Sequence, residues 1–297
     1  MDMQTATEGY ETWLGQQTTI VAPDLARKHK QMAAGLFPFL RATFYRWVER
    51  WPEVCAELTG APQVLAVGDL HIENFGTWRD AEGRLVWGVN DFDEAGPLPY
   101  TNDLVRLATS AHLAIAANHL TLAPRDACVA ILEGYTTGLA SGGRPFILAE
   151  RQRRLRAMVM SESRDPVAFW QKLAALPNTN ARVPEAAIAA IAALWPEQGI
   201  NYRLVERVAG LGSLGRQRFV GIGEWHGGKV AREAKALVPS ALVWAGINTN
   251  DEPAARQALA QAVRAPDPYL RAQAGWLARR LAPDCGRVEL SALPKRR

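Results

Sequence analysis

Apolar positions recur three and four residues apart along much of the first half of the chain, which predicts amphipathic helices. Asp24 is positioned to cap the first helix, and Pro38 separates it from the second. A charged stretch and an alanine-rich stretch farther along the chain also have helical character. Helices are therefore predicted over residues 24–36, 39–50, 101–115, 125–139, 148–172 and 185–194.

Shorter apolar runs predict strands. Residues 64–67 have the composition of a short buried strand, and residues 75–78 and 84–89 have the pattern of a hairpin. Residues 202–243 are rich in Gly and Val with alternating polarity, which is typical of an antiparallel sheet. The chain thus passes from helices through a hairpin and more helices to a β-rich region.

This order predicts an α+β fold with two lobes. A length of 297 residues, about twice that of a typical domain, suits such a division. The expected parts are a polar lead-in over residues 1–20, a mainly helical lobe over 21–180, a β-rich lobe over 181–250 and a C-terminal helical segment over 251–297.

Composition narrows the classes of protein. Apolar residues make up 48% of the chain, which is enough for a substantial core. The formal net charge of +4 is small for this length and does not indicate a nucleic-acid binder. Three scattered cysteines favour a reducing cytoplasm over a disulfide framework. Since no apolar run reaches the ~20 residues that a membrane span needs, none is expected.

The densest polar motif lies directly after the first predicted strand. It reads GDLHIENFG over residues 68–76 and contains Asp69 and Asn74, and NDFDE follows the hairpin at residues 90–94. The short hairpin between the motifs is expected to bring Asp91 back towards Asp69. Two carboxylates and an amide make an oxygen-rich site of the kind that Mg²⁺ prefers. Taken singly, each motif has turn formation as an alternative explanation.

The Asp-x4-Asn spacing with a later Asp resembles the catalytic core of the protein-kinase-like and aminoglycoside-phosphotransferase-like superfamily. The resemblance implies that Asp69 is the catalytic aspartate and that Asn74 and Asp91 hold metal. Asp93 is then a second metal contact or a surface charge.

Two supporting residues follow from the same resemblance and its surroundings. The segment PYTNDL, residues 99–104, is similar to an aspartate-bearing segment of the antibiotic kinases, which makes Asp103 a structural acid. His71 is expected to anchor its loop by hydrogen bonds, with metal ligation as the alternative.

Three blocks together are similar to a bacterial family of uncharacterised proteins, domain of unknown function 2252. They are GDLHIENFG, NDFDEAGPLPYTNDLVRLATS and GLGSLGRQRF, and the resemblance spans roughly residues 30–245. The family name implies membership and carries no activity.

A glycine-rich block, AGLGSLG, lies between two predicted strands, and a third strand with basic residues follows. Closely spaced glycines let backbone N–H groups approach a phosphate, although a β-turn is the alternative. Glycine loop, hairpin and basic strand resemble the small lobe of a kinase, where a lysine pairs with the α- and β-phosphates. The candidate nucleotide-binding residues of the block are Gly210, Gly212, Ser213 and Gly215.

Two basic residues of the third strand compete for the phosphate role. Lys235 is favoured because a compact ammonium group is the usual phosphate partner, and Arg232 is the alternative through bidentate contacts. They lie three residues apart and so face opposite sides of an ideal strand. Glu233 or Glu206 is expected to orient whichever residue is used.

The resemblance implies a circularly permuted kinase-like fold, because the catalytic motif here precedes the glycine-rich block. The leading hypothesis is a phosphotransferase with ATP and Mg²⁺ as cofactors and an unknown small-molecule or protein acceptor. Two alternatives stay open. One is a nucleotide-binding regulator without turnover, and the other is a metal-dependent phosphoesterase, whose opening motif resembles Gly68-Asp-Leu-His71.

Overall fold

The computed structural model describes residues 1–117, 119–150, 152–160, 164–179, 182–250 and 252–290. The helices are α1 (Met3–Gln17), α2 (Ala22–Ala33), α3 (Leu36–Ala42), α4 (Phe44–Val54), α5 (Tyr100–Ala116), α6 (Pro124–Ala140), α7 (Arg153–Val159), α8 (Pro166–Ala174), α9 (Glu185–Ala192), α10 (Ala241–Trp244) and α11 (Ala255–Gln261). The strands are β1 (Gln63–Ala66), β2 (Phe75–Arg79), β3 (Leu85–Val89), β4 (Gly96–Pro99), β5 (Phe146–Ile147), β6 (Tyr202–Glu206), β7 (Arg218–Trp225), β8 (Gly228–Ala236), β9 (Arg271–Gln273), β10 (Trp276–Leu281) and β11 (Gly286–Arg287). The described residues therefore form the expected α+β mixture, with three antiparallel sheets.

The expectation of a polar lead-in over residues 1–20 is wrong, because these residues form α1. The side chain of Asp2 caps this helix by accepting a hydrogen bond from the Thr5 amide. Tyr10 and Leu14 are buried and pack with Tyr45 of α4 in one core cluster. Only one narrow face of α1 is apolar, so its composition resembles that of an unstructured segment.

The other helices predicted for the first half of the chain are present with shifted ends. Pro38 lies inside α3, where it falls in the first turn and needs no N–H donor. The predicted helix over 39–50 is divided at Thr43 between α3 and α4. The helix predicted over 148–172 is instead α7 and α8, and part of that range, residues 151 and 161–163, lies outside the described residues.

The largest sheet has the strand order β6-β7-β8-β10-β9. In its centre, β8 alternates between two environments, as the twofold periodicity of a strand requires. Ala234 and Ala236 pack with α9, whereas Ala231 packs with Leu173 of α8. The predicted hairpin of β7 and β8 turns at residues 225–228, as expected.

A smaller sheet, β11-β2-β3-β5, contains the predicted hairpin, in which Phe75 pairs with Val89 and Arg79 with Leu85. The strand predicted at residues 64–67 is β1, which pairs with β4 in a sheet of its own. These two short sheets direct the polar motifs after β1 and β3 towards one another.

The expectation of a helical C-terminal segment is largely wrong. Within the described residues beyond 251, α11 is followed by β9, β10 and β11. Strand β10 pairs with β8 in the large sheet, and β11 pairs with β2 in the smaller one, so this segment connects the two sheets. Asp251 and residues 291–297 lie outside the described residues. Among the described helices, none has the length and apolar character needed to cross a membrane.

Candidate active site at the exits of strands 1 and 3

The two polar motifs meet, and the side chain of Asn74 joins them. Its amide nitrogen donates to the backbone oxygens of Asp69, at 3.0 Å, and Asp91, at 3.1 Å. Its amide oxygen accepts from the backbone N–H of Asp91 at 2.9 Å. Asn74 is buried, and each of these bonds is to the backbone. Asn74 therefore holds the loops in register, and its oxygen has one remaining acceptor position for a metal ion.

Asp103 fixes the start of the first motif. Its two carboxylate oxygens accept hydrogen bonds from the backbone N–H groups of Val67, at 2.7 Å, and Gly68, at 2.9 Å. Gly68 has a φ of +80°, and a Cβ atom there would lie 2.1 Å from the backbone oxygen of Glu94. Only glycine fits this turn, which presents Asp69 at the end of β1. The contacts are those of the structural acid expected at Asp103.

Asp69 has one engaged and one less engaged carboxylate oxygen. Oδ1 accepts from Nε of Arg106 at 2.8 Å and also contacts Nη2 of that residue. Oδ2 lies 3.9 Å from Nε2 of His71, beyond hydrogen-bond distance. Burial raises the pKa of Asp69 above its usual value, although the charge and hydrogen bonds of Arg106 oppose this effect. A carboxylate with a raised pKa is a better proton acceptor near neutral pH.

Asp91 and Asp93 share the ammonium group of Lys235. The Nζ atom lies 3.2 and 3.1 Å from the two oxygens of Asp91 and 2.6 Å from Oδ2 of Asp93. Burial opposes ionisation of Asp91, but Lys235 outweighs it and holds the pKa of Asp91 below its usual range. Burial and the neighbouring charge of Asp91 raise the pKa of Asp93. Arg216 makes a further contact of 3.3 Å with Asp93.

The glycine-rich block lies against the first motif. A Cβ atom on Gly212 would be 3.2 Å from the backbone oxygen of Arg41 and 3.7 Å from Oδ2 of Asp69. Nζ of Lys28, on α2, lies 3.4 Å from the backbone oxygen of Gly212. Chain segments about 140 residues apart thus meet at Asp69. A side chain at position 212 would therefore require the backbone of Arg41 to shift by a few tenths of an ångström.

The remaining residues of the block have different surroundings. Gly210 has a φ of +78° and begins a single 3₁₀ turn, and the Ser213 hydroxyl accepts from Arg218 at 2.9 Å. The backbone oxygen of Gly215 accepts from the Val21 amide at 2.8 Å, so Gly215 packs at the start of α2. Gly210 and Ser213 are therefore held by the sheet, whereas Gly215 is held by a helix.

Glu233 is fully buried on β8 and serves as the anchor for several arginines rather than for Lys235. It accepts from Arg207 at 2.6 Å, from Arg218 at 2.6 Å and from Arg279 at 2.8 Å. Burial opposes its ionisation, but these charges hold the pKa of Glu233 well below its usual value. Through Arg218 and Ser213, Glu233 connects the sheet to the glycine-rich block. Glu206 instead accepts from the hydroxyl of Thr179 at 3.1 Å.

Lys235, and not Arg232, lies beside the acidic residues. Arg232 is on the opposite face of β8, where Nε donates to the backbone oxygen of Leu194 at 2.7 Å. Its guanidinium carbon is 5.4 Å from the centroid of a Trp195 ring. The alternation of side chains along β8 explains the separation.

His71 is buried among cations, and its backbone oxygen accepts from the backbone amide of Asn74 at 2.7 Å. Its Nδ1 atom has no partner among the described residues, and its ring contacts Phe37 edge to face at 6.5 Å. Burial, followed by the charges of Arg41 and Arg106, holds the pKa of His71 well below its usual value. The ring is therefore neutral at pH 7.

Two basic residues at the site, Lys28 and Arg216, were not singled out from the sequence. Lys28 is buried, and burial followed by the charge of Arg216 lowers its pKa to about 8. Arg216 bridges Asp93 and Glu94, and the fully buried Arg106 pairs with Asp69. A helical position for Lys28 among apolar neighbours was the one available signal.

The residues offer limited but suitable ligands for Mg²⁺. In the part of the chain that the structure describes, no group of three or more His, Cys, Asp and Glu side chains has the arrangement of a metal site. Asp93 Oδ1 is buried without a partner among those residues, and the Asp91 side chain is 45% exposed. Mg²⁺ commonly takes one or two carboxylates and completes its shell with phosphate and water, so these two oxygen donors fit it.

The fold and the site define an α+β protein with an acidic and basic cluster between two strand exits and a glycine-rich block. The family model described as "Uncharacterized protein conserved in bacteria (DUF2252)" matches residues 21–195, and the chain belongs to this family. The match contains both polar motifs and ends before the glycine-rich block. Comparisons with curated proteins and with solved structures find no match.

Proposed function

We propose that this protein is a Mg²⁺-ATP-dependent phosphotransferase that acts on a hydroxyl acceptor. The observation that carries the proposal is the meeting of three chain segments. Lys235 contacts Asp91 and Asp93, and the backbone at Gly212 approaches Asp69. Catalysis of phosphoryl transfer rests mainly on positioning and charge neutralisation, and these residues supply both.

Each residue has a role in this proposal. Asp91 and Asp93 would hold the metal ion, which would screen the charge of the phosphates. When the nucleotide binds, the ammonium group of Lys235 would move from the two carboxylates to the phosphate oxygens, which carry negative charge as the carboxylates do. The glycine-rich block brings its backbone beside Asp69.

The reaction needs one proton acceptor. As the acceptor oxygen bonds to the γ-phosphorus, its proton passes to Oδ2 of Asp69, and the bond between the γ-phosphorus and the bridging oxygen breaks to leave ADP. Arg106 keeps Oδ1 occupied and thereby orients the other oxygen. The raised pKa of Asp69 suits this role.

The same proposal includes a circularly permuted kinase-like fold. Its support is the chain order, since the motif of Asp69 precedes the glycine-rich block while the two lie in contact. The acceptor is a small molecule or a protein, and the expected location is the cytoplasm.

A nucleotide-binding regulator without turnover is the second candidate. The pairing of Asp69 with Arg106 favours it, because a buried guanidinium stabilises the carboxylate and lowers its affinity for a proton. Nucleotide binding is common to both candidates, so only turnover separates them.

The first experiment measures the thermal unfolding midpoint with ATP and Mg²⁺ together and with each alone. A ligand that binds only the native state raises this midpoint. We expect a rise that requires both components, is lost in Asp91→Ala and is retained in Asp126→Ala, which removes an exposed carboxylate on α6. No rise with ATP or another nucleotide would refute the proposal.

Turnover is then measured as release of phosphate from ATP in wild type and in Asp69→Asn. For a phosphotransferase, we expect slow hydrolysis that Asp69→Asn reduces at least a hundredfold while the Mg²⁺-ATP midpoint shift remains. The protein belongs to the regulator class if Mg²⁺-ATP shifts the midpoint of wild type but no ATP is hydrolysed, even when pooled hydroxyl acceptors are present.

A further inference from the structure

A cavity of about 180 Å³ lies where β8 begins and β10 ends. Arg232 lines it, whereas neither Asp91 nor Lys235 does, so the cavity is separate from the site at Asp91. We call it the strand-end cavity. Its lining includes the side chains of Trp170, Trp225, Lys229, Arg232, Tyr269 and Arg280.

Two arginines of the strand-end cavity are direct cross-strand partners. Arg232 of β8 pairs in register with Arg280 of β10, and both guanidinium carbons lie 4.7 Å from the Tyr269 ring centroid. Like charges that face each other across a sheet destabilise it. Lys229 adds a third cation, and none of the described residues that line the cavity is acidic. An anion in the cavity would relieve this repulsion.

Some N–H donors of these arginines have no hydrogen-bond partner among the described residues. Nε of Arg280 is buried and has no partner among the described residues. Arg232 is 3% exposed, and its Nε and Nη1 atoms donate to backbone oxygens. Of the nearby carboxylates, Asp267 accepts from the Tyr269 amide and partly offsets the charge of the two arginines, and Asp284 pairs with Arg79.

The walls of the strand-end cavity also favour a ring. Trp170, Trp225 and Tyr269 present aromatic surfaces beside the three cations. The volume is below the ~300–1,000 Å³ of typical drug-sized sites, so the ligand is small.

We propose that the strand-end cavity binds a small phosphorylated aromatic molecule. Its phosphate is held by Arg232, Arg280 and Lys229, and its ring packs against the tryptophans. Guanidinium groups bind phosphate oxygens in bidentate fashion, and three cations match a dianion better than a singly charged carboxylate. The inference is independent of the proposed function.

The test titrates the full chain calorimetrically at low ionic strength with phenyl phosphate, benzoate and inorganic phosphate. We expect saturable binding of phenyl phosphate, at least fivefold tighter than that of either other compound. Lys229→Gln changes an exposed side chain and should weaken this binding at least fivefold. Arg280→Gln should abolish it.

Two control variants locate the binding. Lys30→Gln removes an exposed charge on α2, and Lys235→Met removes the ammonium group beside Asp91; both should bind phenyl phosphate within twofold of wild type. The inference is overturned if wild type shows no saturable binding, if benzoate binds as tightly as phenyl phosphate, or if Lys229→Gln binds as wild type does. Since no nucleotide is used, these results do not depend on whether ATP binds.

Discussion

Lys235 donates to both carboxylate oxygens of Asp91, at 3.2 and 3.1 Å, across 144 residues of sequence. The same ammonium group lies 2.6 Å from Asp93, so one buried cation contacts two acids. This contact joins the large sheet to the loop after β3. The effect of removing this contact on the free energy of unfolding can be measured without knowing any substrate.

Lys235→Met should lower the free energy of unfolding at pH 7.5. Breaking a buried ion pair costs about 3–5 kcal/mol, and the exposure of Asp91 reduces this to about 2 kcal/mol. The loss should shrink towards pH 5. Asp93 already has a raised pKa in the folded protein and takes up a proton there as the pH falls, which ends its repulsion with Asp91.

Urea denaturation at both pH values measures this difference, and Lys229→Met, an exposed position on the same strand, is the control. A loss that is equal at pH 7.5 and pH 5 would contradict the electrostatic explanation.

Glu233→Gln should destabilise the protein by about 3–5 kcal/mol at neutral pH, because it leaves three guanidinium groups without their shared anion. The pKa of Glu233 is held well below the ordinary 4.5, so its contribution is complete above that value and is lost as the pH falls through the folded-state pKa. Denaturation between pH 3 and pH 7 should show the two proteins converging at the acid end. Glu224→Gln, at the exposed end of β7, should match wild type throughout. A difference in stability between wild type and Glu233→Gln that stays the same at every pH would refute the prediction.

Lys28 should make the protein more stable as the pH rises from 8 to 10. Its pKa is about 8 when folded and 10.5 as an ordinary lysine, so the unfolded state binds more protons in this interval. The difference corresponds to a gain of about 2–3 kcal/mol, and Lys28→Met should not show it. Two raised pKa values act in the opposite direction, that of Tyr10 above its ordinary value of 10.0 and that of Cys285, which burial raises from 9.0 to about 11, above 9.0. Wild type and Lys28→Met share both groups, so the gain is the difference between these two proteins. Denaturation at pH 8 and pH 10 measures the gain, and Lys30→Met should retain it; an equal gain in Lys28→Met would be inconsistent with this origin.

Gly212→Ala should weaken Mg²⁺-ATP binding at least tenfold, with a stability loss of about 1 kcal/mol. The new methyl group would lie 3.2 Å from the backbone oxygen of Arg41 and 3.7 Å from Asp69 Oδ2, in the space proposed for the nucleotide. Gly60→Ala meets no atom within 4 Å and is the matched control. Calorimetric titration with Mg²⁺-ATP measures the affinity. Unchanged affinity in Gly212→Ala would separate the glycine-rich block from nucleotide binding.

Local patterns in the sequence determined much of the secondary structure and the position of the polar motifs. The hairpins of β2 with β3 and of β7 with β8 were predictable because the alternation and turn signals lie within a few residues of each other. The meeting of the two polar motifs followed from the short connection between them. Asp103 followed from a resemblance of motif, and the structure gives it the matching backbone contacts.

Tertiary structure decided what depends on distant segments. That Lys235 and not Arg232 lies beside the acids depends on which face of β8 is turned towards them. Helix α1 and strands β9 to β11 were mispredicted because their apolar stripes are narrow or short and gain stability only from partners far along the chain. The pairing of Arg106 with Asp69, and the burial of Lys28 beside Gly212, likewise depend on packing between segments that sequence spacing does not relate.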